Sequence, residues 1–153
     1  MRLTAFTDFG LRALMRLAGE PDRSFTTDEI ASEFAISRHH LVKVVRRLAE
    51  AGYVRTQRGA GGGFALARPA RAITLGEVVR DLEDDQPLVE CFRADGGNCV
   101  LTPRCRLKNK LAAAREAFLK ELDATSLADC AYSPPARRVL ACPQDRHMTL
   151  RGH

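Results

Sequence analysis

Cys91, Cys99 and Cys105 are the residues of this sequence best equipped for chemistry; they are spaced C-x7-C-x5-C, with Gly96 and Gly97 inside the first interval. Inert buried cysteines behave as small hydrophobes, whereas these three share a polar stretch with Arg93, Asp95, Asn98 and Arg104. A glycine-containing loop can wrap until three sulfurs converge. Arg93, Arg104 and Arg106 would offset the negative charge gathered there and lower the thiol pKa values. Pro103 is expected to open the following helix, which puts Cys105 in a first turn whose free amides favour an anion. Sulfur-rich ligation suits zinc or an iron-sulfur centre. Each normally takes four protein ligands, and here there is no CxxC pair and no histidine close by. Cys130 is one source of a fourth ligand; Cys142 is another only if a C-terminal segment folds back. An incomplete shell has its own use, since a weakly held corner admits a small reactive molecule. On spacing alone, a redox-labile iron-sulfur centre, a zinc site and metal-free thiol chemistry all stay open. Five cysteines, an odd number, do not describe a disulfide framework.

The elements upstream of these cysteines read as a DNA-binding unit. Phe9, Leu11, Leu14, Met15 and Leu17 give a helical apolar face over Thr7 to Ala18, stopped by Gly19, Glu20 and Pro21. Thr26 stands three residues ahead of Glu29, the spacing of a capping box, and starts a short helix through Ile30 to Phe34. After the turn Ala35-Ile36-Ser37, with Ser37 as N-cap, a third helix runs from about Arg38 to Ala51 and ends at Gly52. Leu41, Val44, Val45 and Leu48 face its core, leaving Arg38, His39, Lys43, Arg46 and Arg47 outside. Those are the dimensions of a helix-turn-helix. Arg38, His39 and His40 would approach base edges from the N-terminal turn, with Ser37 beside them on the DNA-binding face, while Lys43, Arg46 and Arg47 meet phosphates.

Tyr53 to Thr56 reads as a strand and Phe64 to Leu66 as its return, with the glycine-rich tip Arg58 to Gly63 between them. This predicts a wing that sends Arg55 and Arg58 to backbone phosphate or the minor groove. A phosphate-gripping nucleotide loop is disfavoured, because no Lys followed by Ser or Thr ends the glycine run and no helix starts there. His39 and His40 are adjacent and diverge on a helix, and His147 and His153 lie near the C-terminus, so the histidines form no metal centre.

Charge supports the same division of labour. Residues 1 to 80 carry 13 basic against 8 acidic side chains, residues 81 to 153 carry 11 of each, and residues 38 to 71 hold eight Arg or Lys against the single acid Glu50. That concentration suits an anionic partner. The chain has no catalytic pair, no apolar run of membrane-spanning length and no signal-peptide pattern, so a cytoplasmic, non-enzymatic protein is expected.

Ile73 to Val79, with Leu82 as last apolar position, reads as a short helix returning to the first unit. From Arg104 to Asp123, Leu107, Leu111, Ala114, Phe118 and Leu122 recur at helical seam spacing along about 30 Å, a stripe that a second copy of the chain would bury. Ser126 caps a last turn over Leu127 to Asp129, and the tail beyond Tyr132 has no periodicity. The expected fold class is mostly α: a winged helix-turn-helix over residues 1–80, a linker and cysteine-rich loop over 81–106, a dimerisation helix and terminal turn over 103–130, and a flexible tail over 131–153. Twofold symmetry would match an inverted-repeat operator on double-stranded DNA.

The opening stretch Met1 to Leu14, the helix from Ser37 to Val45, the Arg58 to Phe64 wing tip and the three cysteines together resemble the nitric-oxide-sensing repressors of the Rrf family of iron-sulfur winged-helix regulators. The likeness covers about residues 1 to 130. It implies a dimeric repressor whose cluster-loaded form binds operator DNA and whose reaction with nitric oxide releases it. It also implies a cluster held by Cys91, Cys99 and Cys105, with Asp8 as a fourth ligand contributed across the dimer interface. Without the resemblance Asp8 reads only as a first-turn acid favoured by the helix dipole. Four-iron and two-iron clusters both accept three thiolates and one hard ligand; the four-iron form is preferred. The family's iron-sulfur-assembly branch has a histidine ligand three residues after its last cysteine, where this sequence has Lys108, a poor ligand. That branch, a redox-responsive regulator and an iron-sulfur electron-transfer protein are the competing readings; the last leaves helix-turn-helix and wing without purpose.

Overall fold

A computed structural model describes residues 2–57, 59, 62–83, 87–101 and 104–135. In order these form α1 (Ala5–Gly19), α2 (Thr27–Glu33), α3 (Arg38–Glu50), β1 (Val54–Gln57), β2 (Gly63–Leu66), α4 (Leu75–Glu83) and α5 (Arg106–Asp123), with short 3-10 turns at Ala70–Ala72, Glu90–Phe92 and Leu127–Cys130. The fold class is the expected one: mostly helical, with a two-stranded wing and a long C-terminal helix.

Helix α1 starts two residues before its apolar pattern, because Thr4 is extended and its Oγ1 accepts from the Thr7 amide at 3.2 Å. The capping box at α2 is present in both directions: the Glu29 amide donates to Thr26 Oγ1 and the Thr26 amide donates to Glu29 Oε2. Ala35, in the turn between α2 and α3, takes φ 52, a left-handed conformation that tightens the change of direction. Gly52 closes α3 at φ 78. Strands β1 and β2 pair antiparallel with Val54 opposite Leu66 and Gln57 opposite Gly63, and Phe25 adds a bridge to Phe64.

One core joins these elements. Leu14 and Leu17 of α1, Leu41, Val44 and Leu48 of α3, Phe25, Phe64, Ile73 and Val78 are all buried in it. Arg16 is also buried and holds α1 to α2, with Nε bonded to both Glu33 oxygens at 3.0 and 2.9 Å and its guanidinium 4.5 Å from the Phe25 ring centre.

The segment after α5 belongs to this core as well. Leu75 N donates to Thr125 O at 3.0 Å, Leu127 N donates to Ile73 O at 2.8 Å, and the Leu127 side chain is fully buried. Ser126 and Asp129 form the capping box of the terminal turn. The chain then lies along α1: Tyr132 N donates to Met15 O at 2.9 Å, Ser133 Oγ donates to Gly19 O at 3.0 Å, and the Tyr132 ring packs 5.9 Å from that of Phe34. Gly19 permits the approach, since a Cβ there would stand 2.1 Å from Tyr132 O. Residues 131–135 of the expected flexible tail are thus described, and 136–153, with Cys142, His147 and His153, lie outside the described residues.

Helix α5 begins at Arg106, later than its propensity suggests, so Cys105 is its N-cap and not a first-turn residue. Pro103 lies outside the described residues. Its C-terminal half is clamped to α4 by Arg80, whose two terminal nitrogens reach the two Asp123 oxygens at 2.7 and 2.6 Å.

Candidate functional site

The basic face is built on α3. Because Leu41, Val44, Val45 and Leu48 are buried, the opposite side of the helix is fixed outward, and Ser37, Arg38, His39, His40, Lys43 and Arg46 are all exposed. Ser37 is the N-cap and makes no side-chain cap bond. The His39 and His40 rings diverge, 6.1 Å apart and tilted by 56°. Arg38 and Arg46 each hold a neighbouring acid, Arg38 Nε to Asp28 Oδ1 at 2.6 Å and Arg46 Nε to Glu50 Oε1 at 2.9 Å. Such exposed pairs contribute little, so a phosphate can compete for either guanidinium.

Arg47 and Arg55 have inner partners that spacing did not reveal. Arg47 Nη2 donates to the Asp81 carbonyl at 2.9 Å, tying α3 to α4, and Arg55 Nη1 donates to the Leu66 carbonyl at 2.6 Å. Each bond uses one of five guanidinium donors, which anchors the side chain and leaves other N–H groups available. The tip residues Arg58, Ala60 and Gly61 lie outside the described residues; Gly59 has φ 102 and its carbonyl accepts from Gly62 N at 2.9 Å.

The cysteine loop lies between α4 and α5. Cys91 is buried in the Glu90–Phe92 turn, Cys99 and Cys105 are half-buried, and all three are free thiols. The Arg93 guanidinium grips Asp95 at 3.1 and 2.9 Å, Gly97 N donates to Asp95 Oδ1 at 3.0 Å, and Asn98 N donates to Glu90 Oε1 at 3.1 Å. The Gly97 amide, and then Arg93, hold the Asp95 carboxyl below its usual range. Gly96 and Gly97 take φ 78 and 59, and a Cβ on Gly97 would stand 2.6 Å from Glu90 O. A cavity of about 930 Å³ opens beside Cys91, bordered by Glu83, Phe92, Arg93, Lys108 and Arg115.

Asp8 is on the first turn of α1, where Arg12 engages both its oxygens at 3.1 and 2.8 Å. Just upstream, Glu83 Oε1 accepts from the Thr4 amide at 2.7 Å and the Thr4 hydroxyl at 2.8 Å, fastening the start of α1 to the end of α4. Sequence reasoning missed this pair, which joins positions 79 apart and leaves no local pattern.

In kind, three free thiols on a loop with left-handed glycines suit a soft metal or an iron-sulfur group. In arrangement, no three His, Cys, Asp or Glu side chains stand together to hold a metal ion among the described residues of one chain.

Fold and surface first define a class: a winged helix-turn-helix with a basic outer face, to which a thiol-bearing loop and a long helix are attached. Residues 3–133 match the Rrf2 family, described as iron-dependent transcriptional regulators, and the chain belongs to that family. It is a transcriptional regulator by that membership, and not an enzyme. The HTH-type transcriptional regulator NsrR of Geobacillus kaustophilus is 48% identical over 130 residues, 84% of this chain and 88% of the relative. Among solved structures, CymR of B. subtilis, described as the global cysteine regulator, is 30% identical with a TM-score of 0.68 over 86% of this chain and 96% of that one. IscR of T. potens is 25% identical with a TM-score of 0.67, covering 84% and 85%. No helix among the described residues is long and apolar enough to cross a membrane.

Proposed function

We propose that this regulator is a homodimeric repressor that reads an inverted-repeat operator and senses nitric oxide through an iron-sulfur cluster on Cys91, Cys99 and Cys105. Asp8 of the partner subunit is the fourth ligand in this reading. The observation that carries it is the 48% identity to an NsrR regulator over most of both chains, in a sequence with three free thiols on one glycine-hinged loop. Lys108 borders the cavity beside Cys91, where the iron-sulfur-assembly branch would need a histidine, which favours the nitric oxide sensor over that branch. When bound, a cluster supplies iron that reacts with nitric oxide; the four-iron form is the preferred one.

The chain's own residues provide the route from loop to DNA. Cys105 immediately precedes α5 at its N-cap position, so a change in how the loop is held bears on the first turn of that helix. The Arg80 to Asp123 clamp and the Leu127 to Ser133 strap join the other end of α5 to α4 and α1. Movement of the loop is thereby passed to the spacing of two recognition helices in the dimer. In functional terms residues 1–80 read DNA, 81–106 carry the sensor and 103–130 dimerise through the α5 stripe, of which Leu107 and Phe118 are exposed in the single chain. Ser37, Arg38, His39, His40, Lys43, Arg46, Arg47, Arg55 and Arg58 form the DNA surface.

The deciding experiment measures anaerobic operator binding before and after nitric oxide, with iron and sulfide counted in the same sample. Operator release in step with loss of the intact cluster is expected. Equal affinity of cluster-loaded and cluster-free protein across a salt series would overturn the mechanism. An Asp8→Ala protein with unchanged cluster spectra and lifetime would remove Asp8 from the ligand set.

A further inference from the structure

Helix α3 carries one exposed apolar side chain at the edge of its charged outer face. Val42 is 44% exposed, on the flank of the helix between the buried stripe of Leu41, Val44, Val45 and Leu48 and the charged outer face. Its helical neighbours at three and four residues are Arg38, His39 and Arg46 on the outer side and the buried Val45 on the inner, so an apolar side chain sits at the edge of a cationic face. Every other large exposed hydrophobic among the described residues lies at position 100 or beyond, on the cysteine loop, α5 or the strap. Folding alone favours something else at position 42, since an exposed helix position is served better by a straight-chain or polar residue than by a β-branched one.

We infer that Val42 is a specificity-determining residue that reads the C5-methyl group of a thymine in the major groove. Position 42 is the fifth residue of α3, on the N-terminal half of the helix that a helix-turn-helix lays against base edges. The flanking Arg38, His39 and Arg46 hold that face against a polyanion. The one apolar feature the major groove offers is the thymine methyl, which separates T·A from every other pair by contact with an aliphatic side chain. Charged neighbours supply affinity without sequence preference, and Val42 converts one position per half-site into a requirement for thymine. The inference rests on operator binding by the family and is independent of nitric oxide sensing.

The test uses the full chain, purified anaerobically, and a randomised double-stranded DNA library to select its operator. Each thymine of the selected site is then replaced singly by deoxyuridine, which removes the methyl and nothing else. Wild type is expected to lose about fourfold in affinity at one thymine per half-site, the equivalent of about 0.8 kcal/mol for one buried methyl-sized group. Val42→Ala is expected to bind the thymine and uridine operators equally, and Val42→Thr, which keeps a γ-methyl, to restore part of the discrimination. Circular dichroism of both variants should show wild-type helix content and melting, because the side chain lies outside the core. No uridine-sensitive thymine in the wild type would overturn the assignment, as would equal sensitivity of wild type and Val42→Ala. Failure of the library to enrich any sequence would overturn operator binding itself, a result distinct from loss of the methyl effect alone.

Discussion

Leu127→Ala probes whether the residues after α5 carry the winged unit or only trail from it. Leu127 is fully buried in the core that contains Leu14, Ile73 and Val78. Truncation to Ala removes three carbons, about 2.4 kcal/mol of transfer free energy at about 0.8 kcal/mol each. The surrounding residues come from α1 and the stretch from Ala70 to Ile73, whose own packing limits collapse into the gap, so a cavity contribution adds to this. A loss of about 3 kcal/mol is expected, inside the range of about 2.7–5.0 kcal/mol for buried leucines. For a chain of this length that corresponds to a melting temperature lower by about 6–12 °C. Urea unfolding followed by far-ultraviolet circular dichroism, at fixed protomer concentration, measures the change directly. A loss below about 1 kcal/mol would refute the reasoning, because it would mean that the segment leaves the core at little cost in solution.

Two basic residues on α3 should separate by assay. Lys43→Ala is expected to reduce the salt dependence of DNA affinity by about one phosphate contact, a change of about 0.9 in the log-log slope, and an unchanged slope would remove it from the interface. Arg47→Ala is expected to lower the melting temperature, because it strips the Asp81 carbonyl of its donor; a wild-type melt would show that bond to be dispensable. Leu107→Glu places a charge on the exposed stripe of α5 and should move the protein from dimer to monomer in sedimentation at micromolar concentration, an unshifted dimer counting against that stripe as the interface. Acid should unfold the protein through depressed carboxyls. Arg16 hydrogen-bonds to Glu20, the Thr26 amide to Glu29, the Gly97 amide to Asp95, Arg80 to Asp123 and Ser126 to Asp129, each lowering the folded-state pKa. Stability from these groups is complete above the unfolded values of about 3.9 to 4.3 and is lost as pH falls through the lower folded ones. Thermal melts should therefore be level from pH 5 to 7 on this account and decline below pH 4; a decline already under way at pH 6 would point to other groups.

Much of the reading unit was legible because its signals are local. The Thr26 and Glu29 capping box, the four-residue apolar stripe of α3 and the glycine-rich wing each depend on interactions within a few residues, so spacing is enough to find them. Helix ends were less legible. Thr4 starts α1 before the apolar pattern begins, and α5 starts at Arg106 and not at Arg104, since caps and the path of the preceding chain set a terminus more than composition does. The roles of Arg47 and Arg55 were visible as charge but not as anchors, for their carbonyl partners come from Asp81 and from the opposite strand.

By itself, the order of residues determined a winged helix-turn-helix, an apolar stripe on α5 and three thiols on a glycine-hinged loop, because alternation of apolar and polar residues and turn chemistry act over short range. Tertiary structure alone decided that Glu83 fastens the start of α1 and that Tyr132 and Ser133 strap the end of the chain to α1. Those outcomes depend on which distant surfaces pack together. Hydrophobic burial rewards any such pairing without regard to sequence separation, so no local motif records the pairing that forms.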